Sequence, residues 1–554
     1  MKTQLQKFLV FLQVPYGERE TLSVLKNPDL QPIPPKHRIW GFWSNFAYWG
    51  ILSFSMGTWI SASGSLSLGL SVGEILLGYI IGDILTILLT LANSAPGTDW
   101  HVGYTLCQRV TFGVYGSGLG ILIRVLLSIV NYGSNAWLGG LAVSLLLSSW
   151  SASYRDMPNT LSSSVNMTTR DFVGFVIFNV ICCLCFFIRP FRMNKPLILS
   201  CIGSFFAMLG MVIYMVKEAD GVGELFQTES QHHGSEKAWR IVYIITIWFS
   251  AVSPGTCSQA DFARFASSKY KLWAGTTISL LIPTTIIPIF GIIGASCSKK
   301  LYNMEIWLPT DLVQYWLLEN YSAKARAAGT FIALAFIFSQ ICFNVVTCGF
   351  AGGMDLAGIL PKYINIRRGA VFTALVSVAV QPWNFYNSAS NFLTVLSSFG
   401  VITTPIISII VCDYFLIRKQ KYAISQFFEL RGDFYYTAGV NWRAIAAFVA
   451  GVGPGLPGMA WQVNPSYANN VGVIRFYYAD SFFAFLISFS LYWVLAYFWP
   501  ISISVVTDEI DMFDAFTEKE RLKYGMIGRD EATSVKFVHM TDVDEKLSKR
   551  EPSL

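Results

Sequence analysis

The chain has 554 residues, of which 53% are hydrophobic, 15% aromatic and only 13% charged, and its formal net charge is +6. Soluble globular domains carry roughly 25% charged residues, so this composition excludes an ordinary water-soluble fold. The basic residues are spread over short loops and form no single stripe, which argues against a nucleic-acid-binding face.

Residues 1–39 form a polar segment with one short apolar patch and no small-residue cleavage site, expected to lie in the cytoplasm against the membrane and not to act as a signal peptide. Twelve apolar segments follow, over residues 40–61, 69–92, 116–148, 171–188, 196–216, 239–262, 271–296, 325–353, 369–384, 390–417, 441–460 and 476–504. A run of about 18 or more apolar residues can cross a bilayer as a helix, which satisfies its own backbone hydrogen bonds. The expectation is therefore an all-α membrane protein with a twelve-helix domain over 40–504 and a cytoplasmic, largely disordered tail over 505–554, with room for one short helix.

Loop charge sets the orientation. The loops after even-numbered segments carry Arg189, Arg192 and Lys195; Arg264, Lys269 and Lys271; Lys362, Arg367 and Arg368; and Arg418, Lys419 and Lys421. The loop over 217–238 is acidic, with Glu218, Asp220, Glu224, Glu229 and Glu236. Both ends are thus expected inside the cell. The sequons at Asn166 and Asn320 fall in loops expected outside, as glycosylation requires.

Two helix breakers stand out, SFSMG at 53–57 in the first segment and SPG at 253–255, including Ser253, in the sixth. They occupy corresponding positions if the domain is two five-helix inverted repeats followed by two further helices, and paired interruptions of this kind point to a midplane binding site. Charges within spans are costly. Here they are Glu74, Asp83, Arg124, Asp355, Asp413 and Asp480. Asp355 is expected to meet Arg264 at the cytoplasmic mouth, as a gate or as a structural pair.

Polar faces mark the third and eighth segments. NYGSNAW at 131–137 puts Asn131 and Asn135 four residues apart on one helical face beside Tyr132, and SQICFNVVTC at 339–348 does the same for Gln340, Asn344 and Cys348. These faces suit either a central cavity or interhelical hydrogen bonding. The ten cysteines show neither CxxC nor secreted-type spacing, and no HExxH or phosphate-cradling motif occurs, so no metal, cofactor or enzyme chemistry is implied.

Several long motifs, in order, carry a resemblance. NPDLQPIPPKHRIWGFWSNFAYWG, GTDWHVGYTLCQRVTFGVYGSGLGILIRVLLSIVNYGSNAWLGG, MDLAGILPKYINIRRG and SNFLTVLSSFGVITTPIISIIVCDYFLIRK resemble the fungal nucleobase–cation symporter-1 family over roughly residues 27 to 500. The resemblance implies a LeuT-like fold of 5+5 inverted repeats, alternating access, and a substrate held between spans one, three, six, eight and ten. Members that carry uracil, allantoin or hydantoins have Trp-Tyr-Gly-x-Gln in span three. Here Asn131 and Asn135 stand at the Trp and Gln positions, and Cys348 replaces a ring-binding asparagine in span eight. Cys342 and Phe343 stand where a bacterial sodium-coupled member has hydroxyls, which implies a proton as coupling ion.

The altered set looks like the thiamine and nicotinamide riboside branch. The expectation is a multi-pass plasma-membrane importer of thiamine by proton symport. Nicotinamide riboside import is the first alternative; a uracil, uridine or allantoin permease and a non-transporting nutrient receptor follow. A permanently cationic heteroaromatic ring needs a carboxylate or aromatic faces in a dry cavity. The expected site is therefore Trp59, Glu74, Asn131, Tyr132, Asn135, Trp248, Ser253, Asn344 and Cys348, with Arg264, Asp355, Leu396 and Phe399 as gating residues.

Overall fold

A computed structural model describes residues 28–188, 190–467, 470–502 and 506–531, together with Gln13 and Leu25. Helix is present at each of the twelve apolar segments. Among the described residues, nine helices are long and apolar enough to cross a membrane: Val72–Trp100, Ser117–Trp150, Asn194–Glu218, Gly234–Cys257, Lys269–Tyr302, Ala323–Ile359, Ala389–Ile417, Trp442–Val463 and Asp480–Phe498. The other three segments are shorter as helices: the first is divided into Phe42–Ser53 and Met56–Ser65, the fourth is Thr169–Cys185 and the ninth Ile366–Ser377.

The packing repeats with an offset of five. The first segment packs on the fifth and seventh, the sixth on the tenth and second, the third on the fourth, and the eighth on the ninth. Exchanging each segment for its counterpart five places away maps these contacts onto one another. The pairs of the second with the seventh and of the third with the eighth map onto themselves. The last two segments pack on each other and on the tenth. Glycines permit the closest approaches: a Cβ on Gly294 would lie 2.4 Å from the Trp59 ring, and one on Gly82 2.9 Å from Trp248 Cδ1.

The interruptions follow local hydrogen bonding. In the first segment Ser55 caps the second half by accepting from the Thr58 N–H at 3.3 Å, and the Thr58 hydroxyl donates to the Leu52 carbonyl at 2.8 Å. The freed helix ends are thereby satisfied. The expected break at SPG in the sixth segment is not present. The helix runs through Pro254 to Cys257 and stops at Ser258. Pro254 cannot donate to the Ser250 carbonyl, and the Ser253 hydroxyl does so instead, at 2.8 Å. The eighth segment opens into a wide π-helical turn over Asn344–Phe350 before resuming at Ala351–Ile359.

The tail departs from the expected disorder over residues 506–531. Ile510–Asp511 pairs with Ile527–Gly528, and between them helix Glu518–Tyr524 is held by a Thr517/Glu520 capping box and ends at Gly525. It docks on one end of the bundle. Glu520 accepts two hydrogen bonds from Arg38 at 2.9 and 3.1 Å, and Tyr524 stacks on Trp100 at 4.5 Å. The expected placement of residues 1–12 and the expected disorder of 532–554 lie outside the described residues.

Candidate functional site

Two small cavities meet where the first, third, sixth, eighth and tenth segments converge. The outer, of about 70 Å³, is lined by Ser55, Thr58 and Ser61 at the first-segment break, by Asn131, Ser134 and Asn135, and by Trp248, Phe343, Tyr386, Phe392 and Leu396. The inner, of about 60 Å³, is lined by Tyr48, Trp49, Arg124, Ser128, Pro254, Thr347 and Cys348; Leu52, Asn131, Ala251 and Phe343 border both. Each is about half of the ~150 Å³ that accommodates benzene. A two-ring molecule therefore enters only when the walls part.

The outer cavity is a box of aromatic faces and neutral polar groups. Trp248 borders the cavity, and its Nε1–H donates to Asp83 Oδ1 at 2.7 Å; Thr284 donates to Asp83 Oδ2 at 2.9 Å. Tyr79 lies 4.8 Å behind the Trp248 ring and shares a 2.7 Å hydrogen bond with Ser61. An indole whose N–H is hydrogen-bonded to a buried acceptor gains electron density on its face, which suits a cation. On the third segment, Asn135 Nδ2 donates to the Asn131 carbonyl at 2.9 Å. The Asn131 side chain borders both cavities and makes no hydrogen bond to protein among the described residues. Ser134 bonds to the Tyr386 hydroxyl at 2.7 Å.

Below this box lies a buried charge pair. Arg124 donates from Nε and Nη2 to Asp355 Oδ2 at 3.2 and 3.1 Å, and from Nη1 to the Pro254 carbonyl at 2.5 Å. Both side chains are excluded from water, at 2% and 0% exposure. Three segments, the third, sixth and eighth, are thus tied at one point. The expected pair of Asp355 with Arg264 is not formed. Arg264 instead donates to the backbone carbonyls of Asp261 and Asp29 at 3.1 and 3.3 Å and touches Met354 Sδ at 3.1 Å. Asp355 is already committed to the nearer guanidinium.

Asn131, Asn135, Trp248 and Cys348 border the cavities, and so does Leu396, which was expected as a gating residue. Six other expected residues lie elsewhere. Glu74 sits at the start of Val72–Trp100, where it completes a capping box with Ser71 and pairs with Lys237. Trp59 is buried against Gly291 and Gly294 of the seventh segment, and Tyr132 faces Phe186, 6.2 Å away. One residue of helix rotates a side chain by about 100°, so Thr58 and Asn131 face inward where their neighbours turn away. Ser253 bonds to Thr403 of the tenth segment at 2.5 Å, and Phe399 is buried outside both linings. Asn344 is fully buried, and neither amide atom has a partner among the described residues. Asn166 and Asn320 are exposed.

Asp83, Arg124, Thr58 and Tyr386 complete the site and were not in the expected set. The signal for Arg124 was available: a span charge needs an opposite charge at equal depth, and Arg124 early in the third segment and Asp355 late in the eighth satisfy this. Among the described residues, no group of three or more His, Cys, Asp or Glu is placed to hold a metal.

The family described as permeases for cytosine/purines, uracil, thiamine and allantoin matches residues 32–478. The Saccharomyces cerevisiae thiamine transporter is 56% identical over 526 residues, covering 95% of this chain and 88% of its own. Nicotinamide riboside transporter 1 of the same yeast is 55% identical over 522 residues, covering 94% and 87%. The inward-facing conformation of Mhp1 superposes with a TM-score of 0.68 at 20% identity, covering 92% of this chain and 99% of that one, and so shares its fold.

Proposed function

The chain belongs to the family of permeases for cytosine/purines, uracil, thiamine and allantoin, and from that premise we propose that it imports thiamine across the plasma membrane by proton symport. It is a multi-pass transporter and not an enzyme. We read twelve crossings, the three shorter helices completing the nine long ones, with both ends in the cytoplasm as the basic loops suggest. Five is an odd number of crossings, so the two packing repeats run in opposite senses through the membrane. Opening the cavity to either side then follows from one half tilting against the other.

The observation that carries the substrate reading is Trp248, hydrogen-bonded to Asp83, bordering a cavity together with Tyr386, Phe343 and Phe392. A cationic heteroaromatic ring is stabilised there without a carboxylate in the wall. The carbonyl oxygens of the Asn131 and Asn135 amides accept hydrogen bonds from exocyclic donors, and the Arg124 charge is neutralised by Asp355, so it does not repel the cation. The thiamine-transporting relative at 56% identity supports this choice. Nicotinamide riboside is the second reading, supported by the relative at 55% and by the same cationic logic.

The test is uptake of labelled thiamine in yeast lacking its own thiamine transporters, competed with nicotinamide riboside, uracil, uridine and allantoin. Competition by uracil with none by thiamine sinks the assignment. Uptake abolished by a protonophore and indifferent to sodium supports the proton; sodium dependence overturns it.

A further inference from the structure

On the outer surface of the bundle, the fifth and eighth segments leave a groove of about 800 Å³ between them. Its floor is paved with small side chains: Gly203, Ala207 and Gly210 on the fifth, and Ala325, Ala328 and Ala335 on the eighth. Phe206 and Phe331, 63% and 73% exposed, form its walls. At one end the rim carries Lys217, Glu218, Glu319 and Lys324. All four are exposed, and none forms an ion pair among the described residues. Tyr214 and Trp316, rings 4.6 Å apart, stand beside them at the level where aromatic residues meet headgroups.

The groove has the length of one leaflet. From Lys217 back to Gly203, or from Lys324 on to Ala335, the helices run about 16–21 Å at 1.5 Å per residue, against a half-core of about 15 Å. It closes at the bottom, where a Cβ on Gly203 would lie 3.9 Å from Ala335 Cβ, and it is open at Gly210, where a Cβ would meet nothing within 4 Å. An occupant is therefore an acyl chain that stops at the bilayer midplane beneath a headgroup at the rim.

Two lysines and two glutamates, exposed and outside any ion pair among the described residues, are complementary to a headgroup that bears both signs. We propose that this groove is a binding site for one zwitterionic phospholipid, its phosphate held by Lys217 and Lys324, its ammonium by Glu218 and Glu319, and one acyl chain laid along the small-residue floor. A sterol would use none of the four charges, and an anionic lipid would leave both glutamates opposed to it.

The experiment is native mass spectrometry of the full-length protein from mild detergent, titrated with phosphatidylethanolamine, phosphatidylglycerol or ergosterol. The wild type is expected to retain one phosphatidylethanolamine per chain in preference to the other two. Gly210→Phe, whose ring enters open space, is expected to weaken retention about tenfold, the equivalent of roughly two methylenes of acyl contact. Leu88→Phe, at an exposed position on the second segment, leaves it unchanged. Lys217→Glu with Lys324→Glu removes the preference for phosphatidylethanolamine without altering the elution profile. Equal retention by Gly210→Phe and wild type overturns the proposal, as does a preference for ergosterol or phosphatidylglycerol, or a dimer cross-linked through this face.

Discussion

Replacing Trp248 tests the substrate site at its centre. It borders the outer cavity and its N–H is fixed on Asp83 at 2.7 Å, so the indole cannot rotate away without breaking a buried hydrogen bond. A desolvated cation over an indole face is stabilised by about 2 kcal/mol, and 1.4 kcal/mol is tenfold, so Trp248→Leu is expected to raise the KM for thiamine about 30-fold. Trp248→Phe retains a weaker ring and loses the bond to Asp83, and an intermediate rise of about 5-fold is expected. Asp83→Asn keeps an acceptor for the indole, and a rise of no more than about 3-fold is expected. The assay is the initial rate of labelled thiamine uptake in a transporter-null yeast, normalised to protein at the cell surface. That normalisation matters because Trp248 is buried against Tyr79 and Gly82, and truncating a buried Trp costs about 3–5 kcal/mol of stability. A Trp248→Leu protein that reaches the surface and keeps a wild-type KM refutes the contact between ring and cation.

Three further outcomes are expected. Asp355→Ala strands the Arg124 guanidinium in a site 2% exposed and is expected to cost about 3–5 kcal/mol, read as a fall in the detergent melting temperature; Arg124→Met with Asp355→Leu recovers most of it, and a single variant as stable as wild type rules out the pair. Glu74→Gln retains an acceptor for the capping box and loses only a partly exposed pair with Lys237, worth about 0–1 kcal/mol, so uptake and KM should not change; a large rise in KM returns Glu74 to the substrate site. Burial holds the His101 pKa below its ordinary 6.5, against the pull of Glu520, so the folded ring stays neutral and its Nε2 accepts from Arg38 at 2.8 Å. An unfolded histidine takes up a proton below pH 6.5, so stability falls as pH drops through that range. The melting temperature should therefore decline between pH 7.5 and 5.5, and less steeply in His101→Gln.

The helices were legible because lipid replaces water as the solvent, and a segment that must satisfy its own backbone shows its length and composition directly. Their ends were less so. The second segment was read to 92 but runs to Trp100, because Asn93, Ser94 and Pro96 are buried against protein and not lost to solvent. Asn131, Asn135 and Trp248 stood out as polar or aromatic side chains in apolar helices, a pattern that suits a cavity and interhelical bonding alike. Their neighbours Trp59 and Tyr132 carry equally suggestive chemistry, yet the phase of the helix, set by packing on Gly294 and Phe186, turns them outward. The break expected at SPG is absent because one hydroxyl, that of Ser253, repairs the gap left by Pro254. Pairings such as Arg124 with Asp355, 231 residues apart, are set by tertiary packing, which local spacing does not encode. The ordered tail escaped a compositional reading because three groups, Glu520, Tyr524 and Ala515, hold it to the bundle.

The wide turn over Asn344–Phe350 has a bearing on how such chains diverge. A turn of this kind holds one residue more than the α-helix around it. A lineage that drops or regains that residue keeps everything beyond it in phase, Asp355 included, and changes only which side chains look into the inner cavity. The turn is a seam in the helix, a place where ancestry can re-cut the lining of the site while the charge pair beneath it stays in register.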